Sequence, residues 1–447
     1  MPEKQCPVTL CFEFPHGIEF RSQRETDSKH SRSLSGVATA LAFLSASLAF
    51  ACTRQPPRTA PPPSAAKINA STPSSSQVAR TVVTPDGTTD IPELFAKATA
   101  DGQAQRYQAS ASGFERAFQL DPDGPLADRS LFESAEMYDL SGKHDAALVR
   151  YEQVARRFPN STLDRVARVR ALRLLIYLEH YQRAGELAES TSAKYKDLLS
   201  FDQLAVLAAR ALSRVAVGED AQAESAISKA RDIIESENLD AAGRVPAELA
   251  PVYYALGELR RIRAERIHFL PVPANFGAVL EQRCQLLLDA QSAYSDAMRA
   301  YDSHWSAMAG YRVAELYQKL HQEMMQVPPP KAANTERLRQ LFEGAMRLRY
   351  SILLDKAKSM LDHTVAMAER TGEQSPWVLK SRQARDAIAQ AMEEERQALA
   401  RLPYSRAQLQ TALDAFAAGR VPPTSTPSPK KTRFPEECSG ADRNPCH

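Results

Sequence analysis

The chain has 447 residues, more than one ordinary domain needs, and it carries 56 basic residues against 54 acidic ones. The formal net charge of +2 excludes the strong global field by which many proteins attract nucleic acid. Glycine is scarce at 17 residues, and Ala, Leu, Glu, Arg and Gln dominate the middle of the chain, so the composition predicts an all-α fold.

Residues 1–51 are typical of a secretion signal with a long N-terminal region. Lys29 and Arg32 precede an uncharged stretch, 33–51, which is rich in Ala, Leu and Ser and ends in Ala-Phe-Ala before Cys52. The Ala-x-Ala pattern suits signal peptidase. A cysteine at the first mature position resembles the lipobox of bacterial lipoproteins, and this resemblance implies that Cys52 carries diacylglycerol.

The lipobox has two departures and leaves alternatives open. The positions that usually hold Leu and a small residue hold Ala49 and Phe50. Ordinary cleavage with an unmodified Cys52, an uncleaved anchor, and a chain that is not exported also fit the sequence, and a misassigned start codon would explain residues 1–32. If Cys52 is lipidated, Thr53 after it favours the outer membrane.

A linker is predicted from residue 52 to residue 90. The segment is rich in Pro, Ser and Ala and has no apolar periodicity, so it buries too little surface to offset the entropy lost on ordering. Attached to a lipidated Cys52, such a semi-extended linker would hold the following domain several nanometres from the membrane.

Helical periodicity begins at about Ile91. A short first helix, about Pro92 to Ala100, is followed by a second, from Tyr107, in which Phe114 and Ala117 are three residues apart before Pro122. The same spacing returns with more detail between Asp128 and Ser161. That stretch holds large, small and aromatic residues at helix-hairpin positions, with a glycine in the turn and a proline at the end: Leu131, Ala135, Tyr138, Gly142, Ala147, Tyr151, Val154 and Pro159.

This pattern resembles the tetratricopeptide repeat, in which positions 4, 8, 11, 20, 24, 27 and 32 carry these residue types. The small Ala135 and Ala147 allow two antiparallel helices to approach closely, and aromatic residues fill the space beside them. Ser134 departs at position 7, which normally holds a large apolar residue. The resemblance implies a solenoid of stacked hairpins and a function in binding, because one hairpin cannot bury its own faces.

Two weaker units follow. In 166–194, positions 17, 20 and 24 hold Tyr181, Ala184 and Ala188, and in 203–234 positions 4, 8, 20, 24 and 27 hold Leu207, Ala211, Ala223, Ile227 and Ala230. We therefore predict four repeat units in residues 91–246.

Longer antiparallel helices are predicted in residues 247–419. They cover Glu248 to His268, Phe276 to Tyr301, His304 to Met325, a helix of about 37 residues between Asn334 and Gly372, Trp377 to Ala400, and Ser405 to Ala418. The segments 344–350 and 363–373 also resemble large tetratricopeptide envelope proteins of gliding bacteria. Residues 420–447 are predicted to be a disordered tail.

The candidate partner-binding residues come from the resemblance. Ligand-facing positions in tetratricopeptide repeats are usually 2, 5, 9 and 12, which here are Arg129, Phe132, Glu136 and Asp139. Phe132 is expected to be an exposed aromatic anchor. The set is mostly acidic, so it does not support recognition of an acidic peptide C-terminus, and a solvated helix face is the alternative interpretation.

The sequence contains no catalytic, metal or cofactor motif. His321 lacks the second histidine that a zinc-binding helix needs at i+4, and Glu393 to Glu395 indicate a solvated face. Cys284 lies within an apolar helix and is expected to be a buried thiol. Cys438 and Cys446 can either pair or remain free thiols.

The sequence therefore predicts a non-enzymatic scaffold that binds other envelope proteins, either as an outer-membrane lipoprotein facing the periplasm or as a soluble periplasmic protein. A cytoplasmic regulatory adaptor and a non-catalytic subunit of an envelope enzyme or motility machinery remain alternatives. So does an enzyme with catalytic residues after Ala247, although no constellation there supports it. The partner, the process and the oligomeric state stay open.

Overall fold

A computed structural model describes residues 82–84, 87–241, 245–417, 420 and 422. The predicted signal segment, Cys52, most of the linker, the tail after residue 422 and the Cys438 and Cys446 pair lie outside these residues. Strands β1 and β2 are Val82–Thr84 and Gly87–Thr89. Helices α1 to α8 are Ile91–Gln103, Tyr107–Leu120, Ala127–Leu140, His144–Arg157, Asp164–Tyr177, Tyr181–Lys194, Ser200–Ala216 and Asp220–Ser236.

The remaining helices are longer for the most part, as the sequence predicts. A short 3-10 turn, Ala247–Leu249, leads into α9 to α14, which are Ala250–Glu265, Phe276–Met298, Ser303–Met325, Glu336–Thr371, Pro376–Ala400 and Arg406–Ala417. The longest helix, α12, begins after Thr335, whose side chain accepts a hydrogen bond from the Leu338 amide, so Thr335 and not Asn334 is the cap. It ends at Gly372, which adopts a φ of +76°.

The two strands precede the helices. They pair in an antiparallel ladder with Val82 opposite Thr89 and Thr84 opposite Gly87. These residues fall within the predicted linker, so the ladder is not predicted from the sequence. Its local signals are β-branched Val and Thr on both sides of Pro85-Asp86, a sequence that favours a turn.

The hairpin α3–α4 confirms the predicted repeat pattern. Ala135, Ala147 and Tyr151 have no exposed surface, and Gly142 takes a φ of +75° in the turn. Each helix from α1 to α12 packs against its successor, α14 packs against α12, and α5, α7, α9 and α11 also pack in sequence as a row. The fold is therefore all-α, a solenoid of tetratricopeptide-like hairpins followed by longer antiparallel helices. The boundary between the two parts at residue 246 remains a prediction.

The small hydroxyl side chain of Ser134 replaces a large apolar one where α3 packs against α2 of the preceding hairpin. Ser134 is fully buried and its Oγ donates a hydrogen bond to the Ala111 carbonyl at 3.1 Å. Within the first hairpin, the Ser110 Oγ on α2 donates to the Ala98 carbonyl on α1 at 2.7 Å. A large residue at position 7 would hold α2 and α3 apart, and the hydrogen bond satisfies the buried hydroxyl of Ser134. This accounts for the departure from the repeat pattern at Ser134.

The weak pattern in α5 also has a structural reason. Asp164 is fully buried and accepts hydrogen bonds from Arg168, Lys194 and Tyr195. Burial would raise the pKa of Asp164, but these hydrogen bonds outweigh burial and hold the pKa below its ordinary value. Arg168 therefore occupies a position for an apolar residue because it pairs with a buried carboxylate.

Candidate functional site

The predicted partner-binding residues all lie on α3, and three of them are partly or largely exposed. The Arg129 guanidinium lies 5.1 Å from the centre of the Phe95 ring on α1. Glu136 is 3.7 Å from Arg170 on α5, and Asp139 is 2.8 Å from the Nδ1 atom of His144. These contacts join α3 to α1, α5 and α4, respectively, and none of the three residues is buried.

The expectation that Phe132 is exposed is wrong. Its side chain is only 9% exposed and meets the Tyr151 ring edge to face, with centroids 5.4 Å apart. An aromatic at this position fills the space between α3 and α4, so Phe132 belongs to the core of its hairpin. Any partner contact made by this face must rely on other residues.

The same four repeat positions become progressively covered along the solenoid. In the first unit they are all exposed or half-buried, in the second one of four is buried, in the third two, and in the fourth all four. The four sets in chain order are Pro92, Phe95, Thr99 and Gly102; Arg129, Phe132, Glu136 and Asp139; Val166, Val169, Arg173 and Ile176; and Ala205, Ala208, Leu212 and Val215.

The covering elements belong to the chain itself. Helix α7, which carries the fully covered set, packs against α5, α9 and the 3-10 turn. Ile176 and Val169 on α5 retain 1% and 3% exposure. The accessible part of this face thus lies mainly on α1 and α3, and it ends on α5 with exposed Val166 and half-buried Arg173. We call Phe95, Arg129, Glu133, Glu136 and Asp139 the N-terminal inner face.

Glu133 is not among the predicted residues, although the pKa of its carboxyl group is raised above the ordinary value. Burial raises the pKa of Glu133 and the neighbouring Glu136 raises it further, while Arg129, 3.6 Å away, opposes both effects. The positive charge of Arg129 therefore does not fully offset the effects of burial and of Glu136 on this carboxylate. The signal in the sequence was its spacing, four residues after Arg129 and three before Glu136 on one helix face.

Phe95 was also missed as a member of this face. It is half-buried and contacts Phe114 edge to face at 4.9 Å, leaving the other part of the ring beneath Arg129. The sequence carries the signal, because Phe95 is at position 5 of the first unit just as Phe132 is of the second. The two phenylalanines differ in exposure because, among the described residues, no repeat unit packs on the outer side of α1.

The buried carboxylate of Glu258 has a structural role. Glu258 on α9 accepts a hydrogen bond from the Tyr294 hydroxyl at 2.7 Å and pairs with Arg312 and Arg261 at 3.0 and 2.7 Å. Burial would raise the pKa of Glu258, but the two arginines hold it below its ordinary value. A carboxylate that is ionised and fully paired between three helices is a poor acid or base.

His321 is a buried histidine on α11. It is 5% exposed and lies 3.9 Å from Glu395, and no group of three or more His, Cys, Asp or Glu residues among those described is arranged to hold a metal ion. Cys284 is buried, as predicted, but it is disulfide-bonded and not a thiol. Among residues 82–422 with a described structure, no helix is long and apolar enough to cross a membrane.

Comparison with solved structures finds similarity to a tetratricopeptide repeat protein from Parabacteroides merdae ATCC 43184. The identity is 12% and the TM-score 0.35, over 68% of this chain and 98% of that one. No protein-family model and no curated protein matches the chain.

Proposed function

We propose that the protein is a scaffold that binds a partner protein on its N-terminal inner face. The observation that carries this proposal is the loss of exposure from the first unit to the fourth, which leaves most of the accessible surface, including Phe95, Arg129 and the carboxylates of α3, on the first two units. In repeat proteins of this architecture, stacked first helices form extended binding surfaces.

The partner is expected to be a peptide or helix with a basic residue near an apolar one. The charge of Glu136 raises the pKa of Glu133, so a partner lysine or arginine beside them would relieve this repulsion. The Phe95 ring supplies an apolar contact beside them.

We also propose that the scaffold works in the bacterial envelope, on the evidence of the N-terminal sequence alone. The Ala-Phe-Ala-Cys52 ending supports export and lipidation, and Thr53 supports the outer membrane with the domain facing the periplasm. A soluble periplasmic form follows if Cys52 is unmodified. The expected partners are other envelope proteins.

Charge reversal at matched positions tests the binding proposal. Glu136→Lys is placed on the inner face and Glu186→Lys on the exposed side of α6, so that both variants change the net charge equally. Capture from envelope fractions after crosslinking identifies the partner, and its affinity is then measured for each variant. We expect Glu136→Lys to weaken binding by about tenfold or more and Glu186→Lys to leave it unchanged. Equal affinity in the two folded variants would contradict the proposal.

A further inference from the structure

A cationic crevice of about 310 Å³ lies between α4, α5 and α6, apart from the N-terminal inner face. It is formed by three arginines, one carboxylate and three apolar residues, which are Arg156, Arg168, Arg183, Glu152, Ala155, Ala171 and Leu187. Ala155 and Ala171 are small, buried residues where these helices pack. They form the apolar floor of the crevice, and the longer arginine side chains surround it.

The single carboxylate does not neutralise the three guanidinium groups. Glu152 accepts a hydrogen bond from Arg183 at 2.6 Å and lies 3.8 Å from Arg156. Arg168 donates through its Nε atom to Asp164 at 3.0 Å and through its Nη1 atom to the Ser190 hydroxyl at 3.5 Å. Each guanidinium has five N–H donors, so these contacts leave most of the donors of all three arginines available to a ligand.

The surrounding sequence is also unusually basic. Residues 150–183 contain eight arginines and only three carboxylates, a surplus of five positive charges, whereas the whole chain has a formal charge of +2. Arg150, Arg157, Arg170 and Arg173 pair with Glu115, Asp123, Glu136 and Asp202 outside this segment, so the positive charge near the crevice comes from the arginines that line it. The arginine side chains at its rim, Arg156 and Arg183, are 67% and 50% exposed, so a ligand can reach them from solvent.

We propose that this crevice binds a small organic phosphate monoester. Such a group carries about 1.5 to 2 negative charges at pH 7 and has three oxygens that accept hydrogen bonds from paired guanidinium donors. The crevice is at the lower end of the roughly 300 to 1,000 Å³ typical of ligand pockets, so it has room for more than the phosphate. The organic part would contact Ala155, Ala171 and Leu187.

Calorimetric titration of the full-length chain with phenyl phosphate and with inorganic phosphate, at constant ionic strength, tests this site. We expect saturable binding of one phenyl phosphate per chain, at least about threefold tighter than inorganic phosphate because the ring covers the apolar floor. The double variant Arg156→Gln, Arg183→Gln should weaken phenyl phosphate binding by about tenfold or more.

A matched control separates the site from general electrostatics. Arg210 and Arg214 on α7 pair with Glu189 at 2.8 and 3.8 Å, which repeats the arrangement around Glu152 without lining the crevice. Arg210→Gln, Arg214→Gln removes the same charge and should keep affinity within about twofold. Circular dichroism and thermal midpoints check that both variants fold. The absence of saturable phenyl phosphate binding, equal weakening in both double variants, or binding of inorganic phosphate as tight as that of phenyl phosphate would overturn the proposal.

Discussion

Tyr177 and His304 stack with ring centroids 3.6 Å apart and planes 18° apart, although Tyr177 ends α5 and His304 lies near the start of α11. His144 packs against the same tyrosine at 4.6 Å, and Glu373, between α12 and α13, lies 3.9 Å from the Nδ1 atom of His304. A short aromatic stack therefore joins the second and third repeat units to the long helices.

The buried histidine in this stack predicts that stability falls in mild acid. Burial, with a smaller contribution from the nearby His144, lowers the pKa of His304 from 6.5 to about 4, although Glu373 and the Tyr177 backbone oppose this shift. Between about pH 6.5 and pH 4 the unfolded chain therefore binds a proton that the folded chain does not, so the free energy of unfolding decreases as the pH falls through this window. For His304 the full loss is about 3 kcal/mol, measurable by urea unfolding across this range.

His304→Phe keeps a ring on Tyr177 and removes the titrating group, so it should flatten this pH dependence. His321, whose pKa burial also lowers, contributes in the same direction and remains in the variant. The exposed His268→Gln serves as the control and should retain the wild-type slope. If the slopes of His304→Phe and wild type agree, His304 is not a source of the acid sensitivity.

Two helical glycines should respond oppositely to alanine. A Cβ at Gly257 on α9 would lie 2.6 Å from the Tyr294 ring, which is buried and hydrogen-bonded to Glu258. Gly257→Ala should lower the free energy of unfolding by about 1 to 3 kcal/mol. Gly277 on α10 has no atom within 4 Å of the same position, so Gly277→Ala should be neutral or stabilise by up to about 1 kcal/mol. Thermal melts of both variants measure these effects. A lower midpoint for Gly257→Ala alone would show that close packing against Tyr294, and not helix propensity, requires glycine at residue 257.

The burial of Phe132 makes it a determinant of stability. Phe132→Ala leaves a cavity against Tyr151 and should cost about 3 to 5 kcal/mol of unfolding free energy. Phe201→Ala, at a side chain 36% exposed on α7, should cost less than about 1 kcal/mol. Denaturant unfolding measures both, and a melt of Phe132→Ala that matches wild type would show that the aromatic contact contributes little.

The sequence predicts the hairpins well because their close contacts need small residues at fixed spacing, as at Ala135 and Ala147. It does not predict which inner positions stay accessible. Phe95 and Phe132 hold the same repeat position, and their exposure depends on which helices lie beside them, a property of the whole solenoid. The disulfide at Cys284 is missed for a similar reason, since one buried cysteine in a helix does not indicate a bonding partner distant in sequence.

If Cys52 is lipidated, the protein should be attached to a membrane. Diacylglycerol together with an acyl chain would bury dozens of methylenes at about 0.8 kcal/mol each, enough for stable anchoring. Wild type should incorporate a palmitate analogue and fractionate with the outer membrane, and Cys52→Ser should lose both properties. Unlabelled wild type in the soluble periplasmic fraction would mean that the Ala-Phe-Ala sequence ends an ordinary signal peptide.

Site-specific photocrosslinking in the cells that encode the protein tests the central claim most directly. A photoreactive phenylalanine analogue is placed at Phe95 or Glu136 on the N-terminal inner face, and at Glu186 on α6 as the control. We predict one recurrent partner protein, identified by mass spectrometry, at the two inner positions and its absence at the control position. Crosslinks to the same proteins at all three positions, or a recurrent partner only at Glu186, would contradict the assignment of partner binding to this face.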